Sequence, residues 1–224
     1  MAPTTKQVPP SLDTVREFVN TRDIDEGTDR LSDPDALRDW LAEQGLLERD
    51  AHVAARDLAR ARKVREAIRA LLLANTEGDE PEPRAIAALN AAASRAELSV
   101  RFHDDGSAHL EPAAHGVPGA LGRLLAIVYG SRQDGSWSRL KACRNDTCRW
   151  AFYDLSKNRS RHWCSMAVCG SRSKARTYRR RRAERRFADP PHGAGPSDLL
   201  QNDLLRKAPL DDTLRAAPPA SGAS

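Results

Sequence analysis

Residues 143–182, CRNDTCRWAFYDLSKNRSRHWCSMAVCGSRSKARTYRRRR, contain every cysteine of the 224-residue chain and its densest run of positive charge. The four thiols form two pairs, Cys143 with Cys148 and Cys164 with Cys169, each spaced C-x4-C, and fifteen residues separate the inner two. Two close pairs across a short hairpin are the layout of a tetrahedral zinc site, in which four thiolates fill the coordination sphere and leave no open position for catalysis. The stretch therefore predicts one structural Zn2+ per chain, held by Cys143, Cys148, Cys164 and Cys169.

Local patterning orders the parts around that ion. Cys143 and Cys148 bracket the tight turn RNDT. Arg149 to Tyr153 reads as a strand with Trp150 and Phe152 on one side, Asp154 to Asn158 as a turn, and Ser160 to Trp163 as the returning strand. Ser165 can cap a helix that carries Cys169 in its first turns and aims its partial positive charge at the thiolates. Turn, hairpin and basic helix together make a small treble-clef-like zinc finger. Six of the eleven aromatics fall here, namely Trp150, Phe152, Tyr153, Trp163, Tyr178 and Phe187. In so small a unit they serve first as core around the metal, with stacking on unpaired bases as the alternative use.

Charge separates this region from the rest. Residues 139–186 carry 16 basic and 3 acidic side chains, a net +13, whereas residues 1–138 carry 17 and 23, and residues 187–224 carry 3 and 5. A positive field so confined implies a polyanionic partner, most simply double-stranded DNA. The helix after Cys169 has a narrow apolar face of Val168, Ala175 and Tyr178, and Arg179, Arg180, Arg181 and Arg182 then spread charge around it. The four arginines are candidates for phosphate contacts, and Arg172, Lys174 and Arg176 for contacts with base edges.

Working outward towards the N-terminus, the pattern is mainly α. Leu12, Val15, Phe18 and Val19 share one face of a short helix closed by Asn20 and Thr21. Asp33-Pro34 opens a second helix with Leu37, Trp40 and Leu41 inward, and Gly45 stops it. The segment after Asp50 reads as the longest helix, with Val64, Ile68, Leu71 and Leu72 as its stripe and its arginines on a solvated face, interleaved with Asp57 and Glu66. A helix over about 84–96 points Ile86, Leu89 and Ala93 inward. Alternation at Leu98, Val100 and Phe102, a turn at Asp104-Asp105-Gly106 and a return through Ala108 and Leu110 make a β-hairpin. One more helix follows Pro118-Gly119, with Leu121, Leu124, Leu125 and Val128 on one face, and ends near Gly130. His103, His109 and His115 match no compact ligand set.

These elements divide the chain into a disordered N-terminus over 1–11, a mostly helical regulatory domain over 12–135, a zinc-finger domain over 139–187 and a disordered tail over 188–224 rich in Pro, Ala, Gly and Ser. The opening MAPTTKQVPPSLDTV lacks the apolar core of a signal peptide, and no apolar run has the length of a membrane span. The expected location is the cytoplasm, where thiols stay reduced and a cysteine cluster holds metal rather than disulfides.

Several phrases resemble one bacterial family, whose members pair an N-terminal ABATE domain with a C-terminal CGNR-type zinc finger and are regarded as stress-induced transcription regulators. RLKACRNDTCRWAFYDLSKNRSRHWCSM and CGSRSKARTYRRRR are similar to the finger. REFVNTRD, DALRDWL and the VREAIRALLLAN…AALN stretch are similar to the ABATE half. The resemblance spans about 12–186 and implies zinc at the four cysteines and DNA as the partner. One departure is visible: Ser171 stands where the family name has Asn. The leading expectation is a zinc-dependent DNA-binding regulator whose front domain senses a signal or forms a homodimer. The alternatives are a thiol or zinc redox switch and an RNA or single-strand binder using Trp150 and Trp163. No nucleophile–base pair or phosphate-cradling loop suggests an enzyme.

Overall fold

A computed structural model of the chain describes residues 8–188. In order it runs α1 (Pro10–Asn20), a short hairpin of β1 (Arg22–Asp23) and β2 (Thr28–Asp29), α2 (Pro34–Glu43), α3 (Ala55–Glu77), α4 (Pro83–Arg95), the hairpin β3 (Leu98–Phe102) and β4 (Ala108–Pro112), and α5 (Gly116–Gln133). A 3-10 turn (Trp137–Arg139) leads to β5 (Leu140–Ala142), then β6 (Ala151–Tyr153), a π-type turn (Met166–Gly170) and α6 (Ser171–Ala188). The described chain is mostly helical, with three two-stranded antiparallel hairpins. The expected disordered tail over 188–224 and the start of the expected disordered 1–11 segment lie outside the described residues, except that Pro10 and Ser11 already belong to α1 and Ala188 ends α6.

Helix boundaries follow the local chemistry. Asp33 caps α2 by accepting the Ala36 amide at 2.9 Å, with Pro34 supplying the first helical position. At the start of α3, Asp57 reaches back to the Ala54 amide at 3.1 Å, and Gly78 ends the helix in the left-handed conformation at φ 79°. α5 begins at Gly116 and passes through Gly130 to Gln133, because no neighbour or backbone demand arises at Gly130.

Residues up to Lys174 form one compact unit, and from Ala175 onward the chain is a second. The first unit has a core formed by α1, α2, α3 and α5, including Val15, Phe18, Leu37, Trp40, Ile68, Leu72 and Leu124. Leu140, Ala142 and Ala151 of β5 and β6 belong to that same core. α4 joins through small residues: Ala85 and Ala88 pack on Ala67 of α3, and Ile86, read as inward, is exposed. Leu89 and Ala93 pack against the main core as expected, while the close approach of helices that meet through alanines buries Ala85 and Ala88 beside them and leaves Ile86 outside. The same tightness appears at Gly122, where a Cβ would stand 2.6 Å from the Ala96 Cβ and 2.8 Å from the Pro112 Cβ. In the β3–β4 hairpin the expected register holds, Val100 facing Leu110 and Phe102 facing Ala108, but Val100 and Phe102 stay exposed.

Two arginines of α3 overturn the solvated-face reading. Arg65 is 1% exposed and Arg69 5%. Arg65 binds both oxygens of Asp29, at 2.7 and 2.8 Å, and the Thr21 hydroxyl at 3.1 Å. Burial alone would raise the Asp29 carboxyl, but the forked guanidinium holds it below its ordinary value. Arg69 donates to the Val19 carbonyl at 2.7 Å and to the Arg149 carbonyl at 2.9 Å. A planar donor fork collects the carbonyls of converging elements, which a leucine at either position could not do.

Candidate metal centre and nucleic-acid interface

The hairpin that carries Cys143 and Cys148 differs from the expected one. β6 pairs with β5, upstream of Cys143, in the register Leu140↔Tyr153, Lys141↔Phe152, Ala142↔Ala151. The ladder continues through the Cys143 amide to the Trp150 carbonyl at 2.9 Å, so both cysteines sit on the turn that closes this hairpin. The turn is tight: the Asn145 carbonyl accepts the Cys148 and Arg149 amides at 2.9 and 3.0 Å, and Arg149 takes φ 53°. Residues 160–163 do not return as a strand. They approach the first turn through one bond, from the Arg144 amide to the His162 carbonyl at 2.8 Å.

Asp154 explains the difference. Its side chain is fully buried and gathers the Ser156 amide and hydroxyl at 3.0 and 2.6 Å, the Arg161 amide at 2.9 Å and the Lys141 ammonium at 3.0 Å. The chain wraps this carboxylate instead of zipping onto β6. Lys141 also donates to the Arg159 and Arg161 carbonyls. Burial would raise the Asp154 carboxyl, but the bonds from Ser156, Lys141 and Arg161 hold it well below the usual carboxylate range.

Ser165 opens the last element as expected, its hydroxyl accepting the Val168 amide at 3.3 Å. The π-type turn that follows swings Cys169 towards the first cysteine pair. The packing is close at Gly170, where a Cβ would stand 3.0 Å from Met166 Sδ and 3.1 Å from its Cε, so the exposed Met166 side chain would have to give by a few tenths of an ångström. The Ser171 hydroxyl donates to the Met166 carbonyl at 3.4 Å.

The four sulfurs of Cys143, Cys148, Cys164 and Cys169 all lie within 4.8 Å of one another. Cys148 and Cys164 are 3.7 Å apart, as are Cys164 and Cys169. A tetrahedron with metal–sulfur bonds of about 2.3 Å has edges of about 3.8 Å, whereas a disulfide requires about 2.05 Å. The spacing fits a metal and excludes disulfides. Left to themselves the thiols conflict: hydrogen bonds from Cys148 and Cys164 pull Cys143 down, while the bond to Cys143 pushes Cys148 up and those to Cys143 and Cys148 push Cys164 up. A divalent cation at their centre removes that conflict by stabilising all four thiolates. The Asn145 amide points at the Cys169 sulfur from 3.9 Å, and Trp150 and Trp163 pack against the cluster. The group is consistent with one Zn2+.

The cluster is tied to the helices by polar groups that the sequence did not mark as functional. Asn20, at the end of α1, accepts the Ala151 amide at 2.7 Å and donates to the Ala151 carbonyl at 2.9 Å. On α3, Thr76 donates to the Ala142 carbonyl at 2.7 Å, and Asn75 to the Trp137 and Leu140 carbonyls at 3.0 and 2.9 Å. The His162 ring meets the Thr76 carbonyl at 3.0 Å.

The candidate nucleic-acid residues all lie on α6. Arg172, Lys174, Arg176, Arg179, Arg180, Arg181 and Arg182 are exposed, and so are Val168 and Tyr178 of the expected apolar face. The Arg172 guanidinium pairs at 2.7 Å with Asp25, in the β1–β2 loop. Arg180 and Glu184 form an i,i+4 pair at 3.6 Å. Part of the positive charge of the finger is internal: Lys141 is buried, Arg139 donates to the Asp154 and Ser156 carbonyls, and Arg161 to the Cys164 carbonyl. Among the described residues, no helix is long and apolar enough to cross a membrane.

Compared with known protein families, residues 12–129 match the ABATE family, described as "Putative stress-induced transcription regulator", and residues 139–182 match the CGNR zinc finger. No curated protein matches the chain.

Proposed function

This chain belongs to the ABATE family and carries a CGNR zinc finger, and from that premise we propose that it is a cytoplasmic, zinc-dependent, DNA-binding transcription regulator. Cys143, Cys148, Cys164 and Cys169 hold one structural Zn2+, the finger over 139–187 presents α6 to duplex DNA, and the domain over 12–135 serves as sensor or dimerisation module. The observation that carries the reading is the run of exposed basic side chains on α6, directly after the cysteine cluster. Arg172, Arg176 and Arg179 fall at i, i+4 and i+7, the spacing of one helix stripe. Arg179 to Arg182 supply phosphate contacts, and Arg172, Lys174 and Arg176 reach base edges.

Duplex binding across a salt series tests this. Changing Arg179, Arg180, Arg181 and Arg182 together to alanine should flatten the dependence of log K on log salt by about 3.6 units, at about 0.9 per phosphate contact, with bound zinc unchanged. Changing Arg172 or Lys174 should instead shift preference between sequences by roughly tenfold. An unchanged slope in the four-arginine variant overturns the proposal. The single-strand alternative is disfavoured because Trp150 and Trp163 are occupied against the cysteine cluster. A thiol switch is the second reading, favoured by Cys164, which is half-buried while the other three thiols are buried. Hydrogen peroxide that takes two electrons from two of the thiolates and two protons from solvent becomes two waters as a disulfide forms, which would leave the metal two ligands short and release it; zinc release on hydrogen peroxide titration decides it.

A further inference from the structure

The front segment contains a cavity of about 120 Å³ between α3, α4 and α5, distinct from the cysteine cluster. Its walls include Val64, Ala88, Ala92, Val117 and Leu121, all buried. Its mouth is charged: Asp57, Arg60, Lys63 and Arg95 stand around it. An apolar chamber near this size holds a benzene-sized molecule, and an empty one forfeits the dispersion contacts of its walls.

The mouth determines which such molecule fits. Asp57 is already engaged, accepting the Ala54 amide at 3.1 Å and Arg60 at 3.2 Å, so Asp57 and Arg60 neutralise each other. Lys63 is exposed and has no ion pair among the described residues. Arg95 directs one N–H to the Ala91 carbonyl at 3.0 Å and leaves the rest of its guanidinium open. Two uncompensated cations therefore border an apolar chamber. The other charged recess, beside β1 and β2, differs: there Arg65 is held by Asp29 and Glu66, and Arg62 by the Leu31 and Ser32 carbonyls. Arg22 faces Glu66 there at 3.8 Å, so Lys63, which borders both recesses, is the one cation of that recess without an ion pair among the described residues, and that recess lacks the second open cation that Arg95 gives the cavity.

We propose that the α3–α4–α5 cavity is a binding site for a small organic acid, with an apolar body of one ring or a short chain in the chamber and its carboxylate between Lys63 and Arg95. Charge and shape divide the work: the apolar walls supply affinity, and the two cations select the anion over its neutral or basic analogues. α3 links the site to the finger, since the helix that lines the chamber at Val64 binds the Leu140 and Ala142 carbonyls of β5 through Asn75 and Thr76. The inference gives the sensor role its ligand class and rests on the proposed function only for the effect on DNA.

The test uses the full, zinc-loaded chain with benzoate, hexanoate, benzyl alcohol and benzylamine as probes. Binding is followed by calorimetry and by the methyl NMR signals of Val64, Val117 and Leu121. Benzoate or hexanoate should bind saturably and shift those methyls. Changing both Lys63 and Arg95 to alanine should weaken the carboxylates at least tenfold and leave benzyl alcohol unchanged. Ala92→Leu, which fills the chamber, should abolish binding of every probe, and the two surface changes keep the test decisive if that variant folds poorly. Absence of saturable binding by both acids, equal affinity for benzoate and benzylamine, or indifference to Lys63 and Arg95 overturns the proposal. Acid binding that leaves duplex affinity unchanged retains the site and counts against the sensor role.

Discussion

Asn20→Ala is the sharpest probe of how the cysteine-bearing hairpin is held. Asn20 is 6% exposed and its carboxamide closes both the N–H and the C=O of Ala151, itself fully buried. Truncation leaves two backbone groups without partners in the core, each at a desolvation penalty of about 1–3 kcal/mol, so the loss should be roughly 2–6 kcal/mol. Because Leu140, Ala142 and Ala151 share the core of α1 and α3, that loss should appear in the unfolding of the whole unit and in zinc retention together. The assay is urea unfolding of the zinc-loaded chain, with helix content read by circular dichroism and released zinc by a metallochromic dye. Both signals should move to a lower midpoint in parallel. A loss below about 0.5 kcal/mol, or a helix transition that shifts while zinc release stays in place, would refute the reasoning.

Three further outcomes follow from the same geometry. Elemental analysis of protein purified under reducing conditions should find one zinc per chain, and replacing any one of Cys143, Cys148, Cys164 or Cys169 by serine should remove it. Asp154→Asn strands the Lys141 ammonium in the interior and should cost about 3–5 kcal/mol at neutral pH, measured by denaturant unfolding. Since the folded Asp154 carboxyl lies below its unfolded value, its contribution is present above about pH 4 and is lost as pH falls through the folded value; the gap between parent and variant should therefore close in acid. Asp25→Asn frees the Arg172 guanidinium and removes a negative charge beside it, so duplex affinity should rise roughly two- to fivefold at low salt and not at high salt, as a binding titration at both strengths would show.

What the sequence revealed, and what it hid, divides along the range of the interactions. α1, α2 and α3 were legible because their apolar residues recur at helical spacing and their caps are local: Asp33 finds its amide three residues on. The β3–β4 hairpin was legible from Asp104-Asp105-Gly106, and the cysteine cluster from its spacing alone. β5 was not, because Leu140-Lys141-Ala142 is too short to show alternation and its partner lies beyond a turn of eight residues. Asp154 was read as part of an ordinary turn. Its burial depends on Lys141, thirteen residues away, and no local signal announces that pair. Arg65 and Arg69 look in sequence like any surface arginine, since a guanidinium is buried only where distant carboxylates and carbonyls converge on it. On α4 the larger Ile86 attracted the inward assignment, while packing distance favoured Ala85 and Ala88.

α3 makes these observations one mechanical argument. Along a single 23-residue helix stand the wall of the apolar cavity at Val64, the Asp29 fork at Arg65, the carbonyl clamp on Arg149 at Arg69, and the anchors of β5 at Asn75 and Thr76. Two of those contacts, to Arg149 and to Ala142, flank the turn that carries Cys143 and Cys148. The buried groups that α3 holds each cost free energy if they lose a partner, so a displacement of α3 against α4 or α5 that kept these bonds would move the groups bonded to it. Through Arg69 and Thr76 such a displacement would bear on the cysteine turn, whose sulfurs fit a metal while both pairs stay in register. Conversely, a metal at the four sulfurs would tie Cys143 and Cys148 to Cys164 and Cys169, and so join the hairpin on which Asn20 and Arg69 close to the segment that follows the Asp154 loop. If a ligand in the cavity changes the metal affinity of the sulfurs through α3, linkage requires the metal to change that ligand's affinity by the same factor, so zinc affinity measured with and without a bound acid tests the connection.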